Sequence, residues 1–269
     1  MEETPEVSHV AQSDGTTDSD VLDDYRSKET APHDRSPHVR RDTIDGISLP
    51  VDKDGNVIYN AESFDIIARK LFVNVYRLLA RQIYGDYGIN RGVCIDVGSG
   101  PCYLSIELAR ITDLRFFALD ISPEVMPIAI RNVVDSRLLS RFSFVIGDVQ
   151  NMPFKDNFAD LIVSRGSFLF WDDVGQGFRE IYRVLKPGGV AFVGGGMGRL
   201  MPKEELDRIG RELERLKYGP KYWGVFAPPK EKMLEILLEA GIPRDSFKIY
   251  EDPSAETVCT CEMWMEIRK

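Results

Sequence analysis

Short apolar runs alternate regularly with helical patterns between Gly92 and Val193, and this alternation constrains the fold more than any other feature. The predicted strands are residues 93–97, 116–121, 142–146, 161–164 and 190–193. The predicted helices between them are residues 103–111, 123–139 and 174–185. Strands separated by helices form βαβ units, whose parallel strands build a sheet that is covered on both faces. We therefore predict an α/β fold around a mostly parallel sheet.

Composition and periodicity predict a tail, a turn-rich segment and a helix in the N-terminal part of the chain. Residues 1–41 are rich in Asp, Glu, Ser, Thr and Pro, so we expect an acidic, disordered tail that cannot bury enough apolar surface to offset its ordering entropy. Residues 42–59 form a turn-rich lead-in, with turn signals at Asp45-Gly46 and Asp54-Gly55. Residues 61–84, in which Phe64 and Leu71 belong to one apolar face, are predicted to be a single helix. Residues 42–269 are assigned to one domain.

The helix boundaries and the C-terminal part follow from local signals. Ser122 is expected to cap the helix that begins at Pro123, and the segment 186–189, Lys-Pro-Gly-Gly, is expected to end a helix and turn into the next strand. Helices are predicted at 203–217 and 230–240, on either side of an aromatic loop at 218–226. Strands are predicted at 247–250 and 258–267.

Charge and histidine placement exclude several classes of protein. The net charge of −9 disfavours nucleic acid and membrane surfaces as partners. All three histidines (His9, His33 and His38) lie in the tail, which argues against a Ser-His-Asp hydrolase, a Cys-His protease and a His-ligated metal enzyme. The acidic N-terminus lacks an apolar signal segment, so we expect a cytoplasmic protein. No metal site is predicted.

The strongest functional signal is a buried strand that runs into a glycine-rich turn and then a helix, Asp96-Val97-Gly98-Ser99-Gly100-Pro101-Cys102-Tyr103. Gly98 and Gly100 permit tight backbone geometry and remove side chains, so a ligand can lie against the peptide. The following helix would direct its free N–H groups towards that ligand. Dinucleotide-binding folds share this motif, and a purely structural turn is the alternative.

Two acids follow at the ends of the next two strands. Asp120 lies about 20 residues beyond the turn, where a carboxylate accepts hydrogen bonds from ribose hydroxyls; helix capping is its alternative role. Asp148 could accept from an exocyclic amine while Val149 packs on the ring, and a surface turn is the alternative there. The fourth strand ends at Ser164-Arg165 and is followed by Phe168, Phe170 and Trp171, which are either core residues or part of an acceptor pocket.

Together these motifs resemble class I S-adenosylmethionine (SAM)-dependent methyltransferases, especially the branch similar to ubiquinone and menaquinone C-methyltransferases (methyltransferase type 11). Further matching segments are Met152-Pro153-Phe154 and residues 184–189. The resemblance implies a Rossmann-like, doubly wound, seven-stranded sheet with an antiparallel last strand. It departs from the family at Cys102, where relatives commonly carry glycine, and at residues 164–168, which differ from those of quinone-methylating relatives.

The resemblance also implies a cofactor site and a reaction. Gly98 and Gly100 would approach the amino-acid part of SAM, Asp120 would hold the ribose, and Asp148 with Val149 would frame the adenine. The predicted cofactor-binding residues are Asp96, Gly98, Ser99, Gly100, Asp120, Ile121, Asp148, Val149, Ser164 and Arg165. Methyl transfer from a sulfonium needs positioning more than proton transfer, so no catalytic residue is assigned; Asp172, Asp173 and Tyr222 are candidates if a base is required.

The predicted partner is a small-molecule methyl acceptor, held between the aromatic segment after strand four and the loop 218–226, and the product of the cofactor would be S-adenosylhomocysteine. We expect a monomer or a homodimer. Three alternatives remain: a nicotinamide dehydrogenase, in which Tyr103 would replace the third fingerprint glycine; a non-catalytic SAM-binding protein; and a thiol-dependent metalloid methyltransferase that uses Cys102, Cys259 and Cys261.

Overall fold

The computed structural model describes residues 41–53, 56–252 and 263–269. The expected tail up to residue 40, the Asp54-Gly55 turn, Cys259, Cys261 and the first half of the predicted last strand lie outside these residues. The strands are β1 (Arg41–Ile44), β2 (Ile47–Pro50), β3 (Arg91–Val97), β4 (Asp113–Asp120), β5 (Phe142–Ile146), β6 (Ala159–Arg165), β7 (Leu185–Gly194), β8 (Phe247–Glu251) and β9 (Met263–Arg268). The helices are α1 (Ala61–Leu71), α2 (Val73–Tyr87), α3 (Tyr103–Ala109), α4 (Met126–Asp135), α5 (Val174–Val184), α6 (Lys203–Leu216), α7 (Pro220–Trp223) and α8 (Lys230–Glu239).

Seven strands form the central sheet, in the order β5-β4-β3-β6-β7-β9-β8. Strands β3 to β7 pair in parallel, as at Asp96 beside Ala118 and Asp96 beside Val163. Strand β9 runs antiparallel to both β7 and β8. The predicted doubly wound, mostly parallel sheet with an antiparallel last strand is therefore confirmed.

Alternate residues of the buried strands face opposite sides of this sheet. Cys94 belongs to the apolar cluster that includes α1, α2, α3 and α6, whereas the next residue, Ile95, belongs to the cluster that includes α5 and α8. Both residues are fully buried. Because helices cover both faces of the sheet, a ligand can reach it only at the ends of the strands. The carboxyl ends of β3, β4, β5 and β6 lie on one edge.

The lead-in is more regular than predicted. Asp45 and Gly46, with φ of 49° and 77°, form the two-residue turn of an antiparallel hairpin between β1 and β2, as expected for an Asp-Gly pair. The predicted helix at 61–84 is wrong in one respect, because it is two helices that meet at Phe72 (φ −104°, ψ 9°). Helix α2 ends at Gly88 in the left-handed conformation, which glycine adopts without strain.

Two predicted helix boundaries also need correction. Helix α4 begins at Met126 rather than Pro123, because Asp120 accepts the Ser122 N–H at 3.0 Å and holds this segment in a turn. The Lys-Pro-Gly-Gly segment starts strand β7 directly, since the Gly188 N–H donates to the carbonyl of Lys269 at 2.7 Å. Within the described residues, none of the helices is both long and apolar enough to cross a bilayer.

Candidate functional site

A cavity of about 430 Å³ lies at the carboxyl edge of the sheet, within the range of about 300–1,000 Å³ that is usual for small-molecule sites. One side is formed by the glycine turn after β3 and the residues after β4 and β5. The other side is formed by α1, the segment after β6, and the chain around α7. Of the predicted cofactor residues, the lining includes Gly98, Gly100, Asp120, Ile121, Asp148, Val149 and Arg165.

Asp120 connects the two nearest loops of the site. One carboxylate oxygen accepts the N–H of Gly100 at 2.8 Å, and the other accepts the N–H of Ser122 at 3.0 Å. An ionised carboxylate offers about four lone-pair positions, so further acceptor capacity remains at the cavity wall. Asp120 therefore shapes the glycine turn and can still accept hydrogen bonds from hydroxyl groups of a ligand.

The glycine turn has room for backbone alone. Gly98 has a φ of 62°, and a Cβ placed there would lie 2.2 Å from the Cβ of Ser167. Cys102 also has a positive φ, 66°, at the start of α3, a conformation that glycine adopts without strain. The departure from the family pattern at Cys102 thus occurs at a position that favours glycine.

Asp148 and Val149 line the cavity together with the apolar residue Ile121. Asp148 accepts the N–H of Gln150 at 2.8 Å and caps a short 3₁₀ turn. Val149 is buried, whereas Ile121 is 67% exposed although it is apolar. The arrangement provides apolar surface beside a carboxylate, which suits a flat ring that carries an amine.

Three predicted cofactor residues do not line the cavity. Asp96 is buried, where it accepts a hydrogen bond from the Ser105 hydroxyl, and burial raises its pKa to about 7, with the charge of Asp120 adding to the shift. The side chain of Ser99 is buried within the turn. Ser164 is fully buried and its Oγ lies 2.6 Å from that of Ser167. These residues support the turn from behind.

Arg165 lies at the boundary between the two sides of the cavity. Its Nε donates to the carbonyl of Gly196 at 2.9 Å, and its guanidinium carbon lies 4.8 Å from the centre of the Phe72 ring and 5.2 Å from that of Tyr76. Within the described residues, no carboxylate lies within ion-pair distance of this guanidinium. Cation–π contacts of this kind contribute about 0.5–2 kcal/mol.

Four aromatic rings from three separate parts of the chain cover the far side of the cavity. The ring centre of Tyr59 lies 4.2 Å from that of Trp223, 5.9 Å from that of Phe170 and 6.1 Å from that of Tyr218. We call these four residues the aromatic wall. Burial raises the pKa of Tyr59 to about 12, with the Asp120 carboxylate adding to the shift, so this phenol remains protonated at neutral pH.

The sequence indicated only part of this wall. Phe170, Trp171, Tyr218 and Trp223 line the cavity, whereas Phe168 is a fully buried core residue. The sequence did not indicate the contribution of the N-terminal part of the chain, whose lining residues are Tyr59, Asn60, Ala61, Phe64 and Phe72. The available signal was the capping box that starts α1, in which Asn60 accepts the N–H of Ser63 at 2.8 Å.

Of the candidate bases and thiols, only some lie at the cavity. Asp172 lines the cavity, whereas Asp173 caps α5 by accepting the N–H of Gln176, and Tyr222 is not part of the lining. Burial raises the pKa of the Cys102 thiol well above its ordinary value, which disfavours the reactive thiolate. The other two thiols considered for metalloid chemistry lie outside the described residues.

Comparisons with known proteins agree with this geometry. Residues 95–193 match the methyltransferase domain family Methyltransf_11. The chain is 32% identical over 130 residues to the uncharacterized methyltransferase YdaC of Bacillus subtilis, covering 48% of this chain and 70% of that protein. It is 30% identical over 198 residues to a demethylmenaquinone methyltransferase of Chlorobaculum parvum, covering 65% of this chain and 76% of that protein. This chain belongs to the SAM-dependent methyltransferase family.

A solved structure supports the same assignment over more of the chain. A protein of Methanococcus maripaludis assigned as an S-adenosyl-L-methionine-dependent methyltransferase is 40% identical, with a TM-score of 0.67, over 78% of this chain and 91% of that one. The match to the 2-methyl-6-phytyl-1,4-hydroquinone methyltransferase of spinach is 30% identical, but it spans only 38% of that protein. The methyltransferase is therefore an enzyme whose cofactor is SAM.

The residues on the glycine-turn side fit that cofactor. Asp120 offers a carboxylate with free acceptor capacity, and Asp148 offers a carboxylate beside apolar surface. An adenosine-containing ligand requires both features. The aromatic wall lines the same cavity.

Proposed function

We propose that this methyltransferase transfers the methyl group of SAM to a small-molecule acceptor bound in the chamber beneath the aromatic wall. The observation that carries the proposal is the two-sided cavity, with carboxylates and the glycine turn on one side and the rings of Tyr59, Phe170, Tyr218 and Trp223 on the other. Two relatives are named for a hydroquinone and for demethylmenaquinone, and another is named for a sterol. These names support a low-molecular-weight acceptor rather than a macromolecule.

In this proposal the glycine-turn side holds the cofactor. The backbone at Gly98 and Gly100 would contact its amino-acid part, Asp120 its ribose hydroxyls, and Asp148 with Ile121 and Val149 its adenine. Bound SAM supplies an electrophilic methyl group on a sulfonium whose leaving sulfur needs no proton. The protein then has to position the acceptor and exclude water.

The aromatic wall provides both of these functions. Its rings pack against each other over the chamber, with Tyr218 and Trp223 centres 4.9 Å apart at an interplanar angle of 89°. Stacking and edge contacts suit a flat, apolar acceptor. Replacing Trp223 with Ala should raise the KM for the acceptor while leaving the affinity for S-adenosylhomocysteine within a factor of about three, because Trp223 lies on the far side of the cavity.

If the acceptor must lose a proton, Asp172 is the base that the cavity offers. Tyr59 and Tyr218 are unsuited, since burial raises the pKa of each phenol. Asp172 is exposed and lines the chamber. Exchange of Asp172 for Asn would then lower kcat without weakening cofactor binding, and an unchanged kcat at high pH and at neutral pH would exclude this role.

Calorimetric titration with SAM, S-adenosylhomocysteine and NAD tests the cofactor assignment directly. We expect both sulfur ligands to bind with one site per chain and NAD not to bind. Binding of NAD alone, or of none of the three, would contradict the proposal. A screen for methyl transfer to aromatic small molecules, read out as formation of S-adenosylhomocysteine, then identifies the acceptor class.

We further propose a cytoplasmic enzyme that is a monomer or a homodimer and does not bind nucleic acid. The net charge of −9 supports the last point, since it repels a phosphate backbone. Light scattering of the purified protein measures its mass in solution. A trimer or larger assembly would contradict the proposed oligomeric state.

A further inference from the structure

We propose that the acceptor carries a carboxylate, which Arg165 and Tyr218 bind together inside the chamber. This inference rests on the proposed function, because it concerns the second substrate of the same cavity. It adds a cationic specificity element to the acceptor side of the chamber, where the aromatic wall supplies apolar rings. Two observations on the described part of the chain carry it: Arg165 has no acidic partner there, and the buried Tyr218 hydroxyl has no hydrogen-bond partner there.

The first observation concerns the donors of Arg165. A guanidinium has five N–H donors. Nε donates to the Gly196 carbonyl at 2.9 Å. Nη1 donates one N–H to the Tyr76 hydroxyl, with the nitrogen 3.5 Å from the oxygen, and Nη2 donates one N–H to the Met197 sulfur, with the nitrogen 3.4 Å from the sulfur. Two N–H groups, one on each terminal nitrogen, therefore have no acceptor among the described residues. This pair matches the two oxygens of a carboxylate.

The second observation concerns Tyr218. Its side chain lines the cavity but only 3% of the residue is exposed, and its hydroxyl has no hydrogen-bond partner among the described residues. A buried polar atom without a partner costs about 1–3 kcal/mol, so such atoms are usually satisfied by a ligand or water. Burial also keeps this phenol protonated, and it is therefore a donor at neutral pH.

Both groups belong to the lining of one cavity. The Tyr76 hydroxyl accepts from Nη1 of Arg165 at 3.5 Å, and after burial and Tyr59 it is a further cause of the raised pKa of Tyr218. The contacts of Arg165 are with Phe72, Tyr76, Gly196 and Met197. None of these four residues belongs to the glycine turn or to the loops that carry Asp120 and Asp148. We assign the acceptor as the anion that is bound, and the measurements on Arg165→Met below distinguish it from the carboxylate of the cofactor.

The position of Arg165 explains why it can select among acceptors. Its side chain is half-buried against the rings of Phe72 and Tyr76, so water screens it less and an anionic ligand gains more there than at the protein surface. A neutral ligand of the same shape would leave two guanidinium N–H groups and the Tyr218 hydroxyl poorly paired, which disfavours it.

The test measures binding of matched acids and amides to protein saturated with S-adenosylhomocysteine. The probes are phenylacetate with phenylacetamide, indole-3-acetate with indole-3-acetamide, and benzoate with benzamide, followed by ligand-observed NMR. We expect at least one acid to bind about tenfold or more tightly than its own amide, as for a paired charge-assisted contact. The absence of such a preference in all three pairs, including the absence of binding, would overturn the inference.

Three variants locate the preference. Arg165→Met replaces the guanidinium with an unbranched apolar side chain and should abolish the preference for the acid. Tyr218→Phe removes only the hydroxyl and should reduce that preference by about three- to tenfold. Arg115→Met is the matched control, because Arg115 is exposed on β4 and loses the same charge away from the cavity. A preference that survives Arg165→Met overturns the inference, provided that thermal unfolding shows a folded variant.

Binding of S-adenosylhomocysteine to Arg165→Met and to the unmodified chain distinguishes failure of this inference from failure of the proposed function. S-adenosylhomocysteine should bind Arg165→Met within about threefold of its affinity for the unmodified chain. A loss of tenfold or more, with no loss for 5′-methylthioadenosine, would show that Arg165 holds the carboxylate of the cofactor and would overturn the inference. Failure of the unmodified chain to bind S-adenosylhomocysteine would instead contradict the proposed function, and the acid preference can still be read without it.

Discussion

Replacement of Asp120 is the most informative perturbation of the cofactor side. Its two oxygens accept the N–H groups of Gly100 and Ser122 at 2.8 and 3.0 Å, and we propose that its remaining lone pairs bind the ribose. Asp120→Asn keeps the size and one carbonyl oxygen but presents an NH₂ group to one of these donors. Asp120→Ala removes both acceptors.

The magnitude follows from the hydrogen bonds that are lost. A hydrogen bond to a charged group contributes about 1.5–3 kcal/mol, and the ribose offers two hydroxyls. For Asp120→Ala we expect a loss of about 3–6 kcal/mol in binding of S-adenosylhomocysteine, which is about 150-fold to 25,000-fold in Kd. Calorimetry measures the Kd, and Asp172→Asn, which removes a charge from the same cavity, is the matched control and should change it by less than about threefold.

A second measurement distinguishes ribose binding from support of the glycine turn. Adenosine and 2′,3′-dideoxyadenosine are compared by displacement of S-adenosylhomocysteine. If Asp120 binds the hydroxyls, the original chain prefers adenosine and Asp120→Asn loses that preference. If both nucleosides weaken equally and the preference persists, the carboxylate acts only on the backbone. That result, or a Kd for S-adenosylhomocysteine that stays within threefold, would refute the ribose role.

Three further predictions concern groups that support the site. Gly98→Ala should weaken S-adenosylhomocysteine binding more than about tenfold and lower the unfolding free energy by about 1–3 kcal/mol, because φ is 62° and the new Cβ would meet Ser167. Asp65→Ala should cost about 3–5 kcal/mol in urea unfolding, because this buried carboxylate accepts from Tyr103 at 2.9 Å and pairs with arginines. Asp96 has a folded-state pKa of about 7, above its unfolded value, so its contribution to stability falls as pH rises from about 4 to 7, and Asp96→Asn should flatten that slope.

Each of these has a result that would count against it. Unchanged cofactor affinity in Gly98→Ala would mean that the turn can shift away from Ser167. A loss below about 1 kcal/mol for Asp65→Ala would place this carboxylate among weak surface pairs. A stability slope between pH 4 and pH 7 that is the same in Asp96→Asn and the original chain would show that other groups cause it.

Local features of the fold were predictable because they depend on neighbours in sequence. Strand β5 has the predicted bounds, and the turn at Asp45-Gly46 has the conformation that this pair prefers. The predicted single helix failed at Phe72, whose ring packs against Tyr76 and the guanidinium of Arg165. Periodicity continues across that residue, so the sequence carries no sign of the break.

The residues on the glycine-turn side of the cavity were predictable from the sequence. The glycines, Asp120 and Asp148 follow strands directly, and the carboxyl ends of parallel strands must meet at one edge of a sheet. The opposite side of the cavity depends on tertiary packing. Tyr59, Arg165 and Tyr218 are far apart in the chain, and they line one cavity because the N-terminal helices and the segment after α6 pack onto that edge. Packing between distant segments depends on the shape of both surfaces, which no local pattern encodes.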